Sequence, residues 1–164
     1  MNSSTTHQMT PRLNAFKSAP EAMQALSALG SYVKNCGLEA SLLELVKLRA
    51  SQLNGCAYCI YTHSHDARAQ GETEARVYML DAWRESPLYS DRERAALEWT
   101  EAVTLIASSR ADDAVYAEVQ RHFTEPEIVK LTLAIGNINV WNRFGVAMRN
   151  VHPVGASDRH PTHT

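Results

Sequence analysis

The stretch "NGCAYCIYTH", residues 54–63, places Cys56 and Cys59 three positions apart and His63 four residues after the second cysteine. These residue types at this spacing admit four chemistries: haem attachment, a thioredoxin-like couple, a zinc site, or a redox dithiol in another fold. A c-type haem needs histidine directly after the second cysteine, and Ile60 stands there. A thioredoxin-like site sits in a strand–helix context, which the flanking sequence does not offer. The remaining two depend on geometry. If Cys56 opens a helix, Cys59 lies at about 300° and His63 at about 340° around the axis, while His65 falls near 180°. Cys56, Cys59 and His63 then share one face, and zinc would need a distant fourth ligand or a water.

The same geometry suits a dithiol. Cysteines one helical turn apart approach the Cα spacing of a disulfide, about 5.5 Å. Cys56 would follow the Asn54-Gly55 break and stand at a helix N-terminus. There, free N–H groups and the macrodipole favour a thiolate and can lower a cysteine pKa from about 8.5 into the range of roughly 3.5–7.5. His63, at i+4 from Cys59, can take a thiol proton and return it. Such a histidine needs its second nitrogen oriented. Glu44, twelve residues before Cys56, is a candidate, although spacing alone reads it as a solvated helix carboxylate. Cys36 has no partner motif and reads as a small buried hydrophobe.

The elements that must position these groups are helical. "SAPEAMQALSALGSYVKNCG" offers Ser18 as a cap, Pro20 in the first turn and Gly37 as a stop. "EASLLELVKLRASQLNG" sets Leu42, Leu45, Val46 and Leu53 near one face and ends at Asn54-Gly55. The cysteine segment runs on to Gly71, and a further helix fits Thr73 to about Glu85 before Pro87. Ser90 with Glu93 and Thr124 with Glu127 form capping boxes before two long stretches, with "ADDAVYAEVQRHF" supplying a helix between them. Val129, Leu131, Leu133 and Ile135 alternate with other residues in strand fashion. The capping box and the apolar residues continuing through Trp141, Phe144 and Met148 predict helix instead, apolar on several faces and therefore buried or at an interface. The expectation is an all-α, single-domain bundle of about seven helices. It spans 11–150 between flexible ends at 1–10 and 151–164. The second end holds three of the seven histidines and reads as solvated tail rather than metal site.

Composition agrees. A chain of 164 residues, 45% hydrophobic and 21% charged, can bury one real core. Its net charge of −2 points to neither nucleic acid nor an anionic membrane surface. The N-terminus lacks the apolar run of a secretory signal, and no stretch reaches the length of a membrane span. A cytoplasmic location is expected. In that reducing compartment a close cysteine pair is metal-binding or catalytic rather than a structural staple.

The segment "ELVKLRASQLNGCAYCIYTHSHDARAQGE", Glu44 to Glu72, resembles the carboxymuconolactone decarboxylase superfamily, and within it the alkylhydroperoxidase D-like (AhpD-like) branch. The shared pattern is a glutamate, eleven residues, Cys-x-x-Cys, three residues and a histidine. A weaker similarity continues to "NVWNRFGVAMRN" and covers most of residues 15–150. The resemblance implies an all-helical fold assembling into homo-oligomers, often trimers or hexamers, with thiol peroxidase or disulfide reductase activity. It implies Cys59 as the peroxide-attacking cysteine, Cys56 as the resolving one, and Glu44 with His63 as a proton relay. Tyr58 departs from the pattern: the characterised peroxidase has a histidine there, and tyrosine, titrating near about 10, does not replace a neutral-pH base. The decarboxylase branch lacks the cysteine pair.

The expected function is an antioxidant thiol peroxidase. It would act on a hydroperoxide, be recycled by an external dithiol or lipoyl-type reductant, and need no metal or other cofactor. Cys56 is expected to be the more accessible cysteine, the one that meets the reductant. The alternatives are a disulfide oxidoreductase or redox sensor with little peroxidase activity, and a non-enzymatic helical oligomer with structural or zinc-binding cysteines.

Overall fold

The computed structural model describes residues 9–154. The parts of the two expected flexible ends at 1–8 and 155–164, with His160 and His163, lie outside the described residues. The elements are α1 (Ala15–Ser18), α2 (Pro20–Lys34), α3 (Ala40–Leu53), α4 (Ala57–Ala69), α5 (Glu74–Met79), α6 (Asp91–Thr104), α7 (Ile106–Ser109), α8 (Asp113–His122) and α9 (Glu125–Ala147). There is no strand among the described residues. The seven longer helices answer to the seven expected from sequence; α1 and α7 are single turns of four residues that the periodicity could not reveal.

Most boundaries fall where cap chemistry placed them. Ser90 Oγ accepts from the Glu93 N–H while Glu93 accepts from the Ser90 N–H, closing the box at α6. Glu127 likewise accepts from the N–H and hydroxyl of Thr124 at α9. Two expectations are corrected. Ser18 does not cap α2. It is the last residue of α1, because Pro20 forbids helical backbone at Ala19 (φ −146°, ψ 68°) and so separates the two helices. The helix from Thr73 ends as α5 at Met79 and tightens into a 3₁₀ turn over Leu80–Ala82. Side chains three apart eclipse in that geometry, which lets Leu80 and Trp83 bury together.

The core explains the length and order of the helices. Leu42, Leu43 and Val46 of α3 join one apolar cluster with α6 and α9, and Leu45 and Leu48 join a second with Leu80, Trp83 and Leu97. α3 is therefore buried on nearly all sides rather than along the single face expected from its leucine spacing. Its charged residues are satisfied inside the fold. Arg49, for example, donates to Glu101 (2.8 Å) and to Asp81, and Glu101 also accepts from the Trp83 indole (2.7 Å). Cys36 is a free, buried cysteine in the first cluster.

α9 is a helix despite the alternating pattern. Leu131 and Ile135 are buried, and Val129 and Leu133 are exposed, so the alternation separates two faces of a helix. Trp141, Phe144 and Met148 are half-buried. The chain's own N-terminal segment packs over this end. Phe16 stacks on Trp141 with ring centroids 6.2 Å apart, and the Arg12 N–H donates to the Met148 carbonyl (2.9 Å).

Candidate active site

α3 and α4 meet at a turn that one glycine makes possible. Gly55 has φ +64°, a left-handed backbone that residues with a Cβ rarely adopt. The Gly55 N–H donates to the Gln52 carbonyl and the Cys56 N–H to the Ser51 carbonyl, the paired bonds of a Schellman helix end. Cys56 is thus the third residue beyond α3 and also the N-cap of α4, where its Sγ accepts from the Cys59 N–H (3.4 Å). The expected placement of Cys56 at a helix N-terminus holds. Cys56 and Cys59 form a disulfide with Cα atoms 5.3 Å apart.

His63, one turn after Cys59, reaches back to α3. Its Nδ1 lies 2.8 Å from Glu44 Oε2, and Lys47 Nζ lies 2.7 Å from the other carboxylate oxygen. Glu44 is 6% exposed, so the solvated carboxylate suggested by spacing alone is not what folding produces. Burial pushes the Glu44 carboxyl up, but the hydrogen bonds from His63 and Lys47 outweigh it and hold the group below the usual carboxylate range. An ionised carboxylate only accepts hydrogen bonds, so Nδ1 of His63 is the donor. Nε2 is then the nitrogen left to accept a proton.

Glu44, His63 and Asp66 place one ligand atom each within 4.8 Å of one another. Among the described residues this is the group that could hold a metal, and it differs from the Cys56–Cys59–His63 set weighed from sequence. In this oxidised state the two sulfurs are bonded to each other, and the Lys47 ammonium already neutralises one oxygen of Glu44.

A cavity of about 330 Å³ opens beside the pair, bordered by Cys59 and His63 of α4, by Phe16, and by Ile138 and Trp141 of α9, with Tyr58 at its edge. Cys59 is 5% exposed and Cys56 only 1%. This reverses the expected accessibility. Cys56 is enclosed because α9 crosses directly over it, and only Cys59 borders the cavity.

The contact with α9 involves residues that sequence reasoning missed. A Cβ at Gly145 would stand 2.5 Å from Cys56 Sγ and 3.4 Å from Cys59 Sγ, so the helix can lie on the sulfurs only where it has no side chain. Beside it, buried asparagines tie the α3–α4 turn to α9. Asn54 donates to Asn142 Oδ1 (2.9 Å) and Asn139 Oδ1 (3.0 Å), and Asn142 donates to Ser51 Oγ (3.0 Å). The available signal was polar and glycine positions within an otherwise apolar helix, "GNINVWNRFG", whose partners sequence does not name. Gly145→Ala is expected to destabilise the oxidised protein by about 1–3 kcal/mol through overpacking. Gly145→Val should cost more. Thermal denaturation of the disulfide form checks both, and an unchanged midpoint for Gly145→Val would show that the close approach has no structural consequence.

This buried disulfide, the histidine oriented by Glu44 and the adjoining cavity sit in a helical fold that has known relatives. The carboxymuconolactone decarboxylase family matches over residues 20–102, and the chain belongs to that family, with AhpD-like character. It is 45% identical over 142 residues to the uncharacterized protein YdfG of Bacillus subtilis, covering 87% of this chain and 97% of that one. It is 46% identical to a protein of unknown function from Agrobacterium tumefaciens with a suggested antioxidant-defence role as AhpD. That crystal structure superposes with a TM-score of 0.87, covering 89% of this chain and all of the other. The debrominase Bmp8, 22% identical with a TM-score of 0.77 over 84% of this chain and 74% of its own, shares the fold.

Proposed function

We propose that the protein is a thiol peroxidase that reduces organic hydroperoxides through the Cys56/Cys59 couple. The observation that carries this reading is the arrangement of Cys59 with His63 on one cavity, with the histidine tautomer set by Glu44. In the reduced enzyme His63 Nε2 takes the Cys59 thiol proton. The thiolate attacks the terminal oxygen of ROOH, so the S–O bond forms as the O–O bond breaks. The departing RO⁻ takes the proton back from His63 and leaves as ROH. Cys56 thiolate then attacks the Cys59 sulfenic sulfur, forming the disulfide and releasing hydroxide, which is protonated to water.

An external dithiol or lipoyl-type reductant restores the thiols by exchange. Since Cys59 faces the cavity and Cys56 is enclosed, the incoming thiolate attacks Cys59. It expels Cys56, whose thiolate the α4 N-terminus stabilises as a leaving group. The cycle draws on this chain's thiols and proton carriers and on the external dithiol, and its setting is the cytoplasm. Steady-state consumption of cumene hydroperoxide driven by dihydrolipoamide tests it, with one alcohol expected per disulfide reduced. A protein that stays reduced in the presence of hydroperoxide defeats it.

Tyr58 favours a second reading. It stands between the cysteines and lines the cavity, with a phenol where the family's peroxidase pattern has an imidazole. On that reading the pair exchanges with disulfides and reacts sluggishly with peroxide, as an oxidoreductase or redox sensor.

We also propose that the protein works as a homo-oligomer, a trimer or hexamer. Val129, Leu133 and Val140 project an exposed apolar stripe along α9, on the side away from its buried face. Light scattering at micromolar concentration is expected to give a multiple of the 18.2 kDa chain mass. A monomer mass would remove the claim.

A further inference from the structure

Among the polar side chains that line the cavity beside Cys59 (Lys34, Lys47, Thr62, His63, Asn137 and Asn150), Asn137 stands apart by a buried amide nitrogen with no partner among the described residues. This residue of α9 is 6% exposed. The neighbouring buried asparagines, Asn139 and Asn142, both have their amides tied into the α3–α9 network. Leaving a buried donor unmade is costly, so such a group needs a reason. Across from it, Gly30 of α2 also lines the cavity, and a Cβ there would stand 3.7 Å from Asn137 Oδ1. With no bond holding the nitrogen, a half-turn of the amide loses no partner and exchanges which end faces the cavity. The cavity surface is more apolar than polar: Phe16, Ile138 and Trp141 offer a face for an aryl or branched-alkyl body, beside the polar Lys34, Lys47, Thr62 and Asn150.

We propose that Asn137 is the ligand-orienting residue of this cavity. Its amide hydrogen-bonds the oxygens of an organic hydroperoxide whose apolar body lies against Phe16 and Trp141. The N–H then donates to the oxygen that leaves as alkoxide, which gathers charge as the O–O bond breaks and later takes its proton from His63. This assignment rests on the peroxidase reading and adds to it a residue that selects bulky organic hydroperoxides and aligns their terminal oxygen with Cys59.

The test uses the full-length protein with Asn137→Leu, close in volume but without a donor, and Asn137→Ala. Three readouts are compared with wild type: binding of 2-phenyl-2-propanol, the product alcohol of cumene hydroperoxide, to the oxidised form; oxidation of the reduced form by cumene hydroperoxide; and alkylation of Cys59 by iodoacetamide. Losing one such hydrogen bond is expected to weaken alcohol binding and slow hydroperoxide oxidation about tenfold each. Alkylation should be unchanged, and Asn137→Leu should melt no lower than wild type, because no partner is orphaned. Wild-type oxidation rates in both variants overturn the assignment while leaving the peroxidase reading intact. Equal losses in oxidation and alkylation also overturn it, since they mark a merely structural residue. A wild-type protein inert to cumene hydroperoxide fails at the peroxidase reading itself and takes the assignment down with it.

Discussion

Cys59→Ser is expected to abolish hydroperoxide consumption, while Cys56→Ser should react once and stop. The two cysteines stand about one helical turn apart, with their Cα atoms 5.3 Å from each other, yet their surroundings differ. Cys59 borders the cavity and shares it with His63, so a hydroperoxide can reach it and a proton acceptor is at hand. Cys56 lies under Gly145, where no Cβ would fit, and an oxidant has no path to it in this structure. Its position as N-cap of α4 stabilises a thiolate suited to resolving the sulfenic acid and leaving in exchange. In Cys56→Ser the sulfenic acid on Cys59 therefore persists and is trapped by dimedone. Cys36, free and buried in the first core cluster, should be dispensable: Cys36→Ser is expected to leave both steps intact. Dimedone labelling of Cys56 in Cys59→Ser, with none in Cys56→Ser, would reverse the assignment.

Glu44→Gln and His63→Gln should each slow thiol oxidation by about 10²–10⁴-fold, the usual worth of a positioned acid or base. The carboxylate fixes Nδ1 as the donor, and without its charge the tautomer is no longer specified. The two residues act as one unit, so the double variant should be little slower than the worse single variant. Rates that multiply would show independent action. Acidity bears on the same pair with a definite sign. Because the folded Glu44 carboxyl sits below its ordinary value of 4.5, its ion pairing stabilises the fold above that pH. The contribution fades as pH falls through the lower folded value.

What could be read from sequence divides along a physical line. Features set by neighbours within a few residues were legible: the caps at Ser90 and Thr124, the glycine stop at Gly55, and the shared face of Cys59 and His63 on one helix. Spacing rules describe contacts one or two turns away, so they could not bring Glu44 of α3 to His63 of α4; that pairing came from the family pattern. They also could not show that α9 folds across the cysteines. Gly145 and the asparagines therefore looked like interruptions of an apolar helix, when they are its fitted contact with the α3–α4 turn. The accessibility of the two cysteines failed for the same reason. A helix N-terminus is open in isolation and becomes closed when a distant helix lies over it.

The most direct measurement is stopped-flow oxidation of the reduced wild-type protein by cumene hydroperoxide, run beside oxidation by a lipoamide-type disulfide. Rapid loss of two thiols per hydroperoxide consumed is expected, at a rate first order in hydroperoxide. Thiols that persist in hydroperoxide yet vanish quickly in the disulfide would contradict the peroxidase reading.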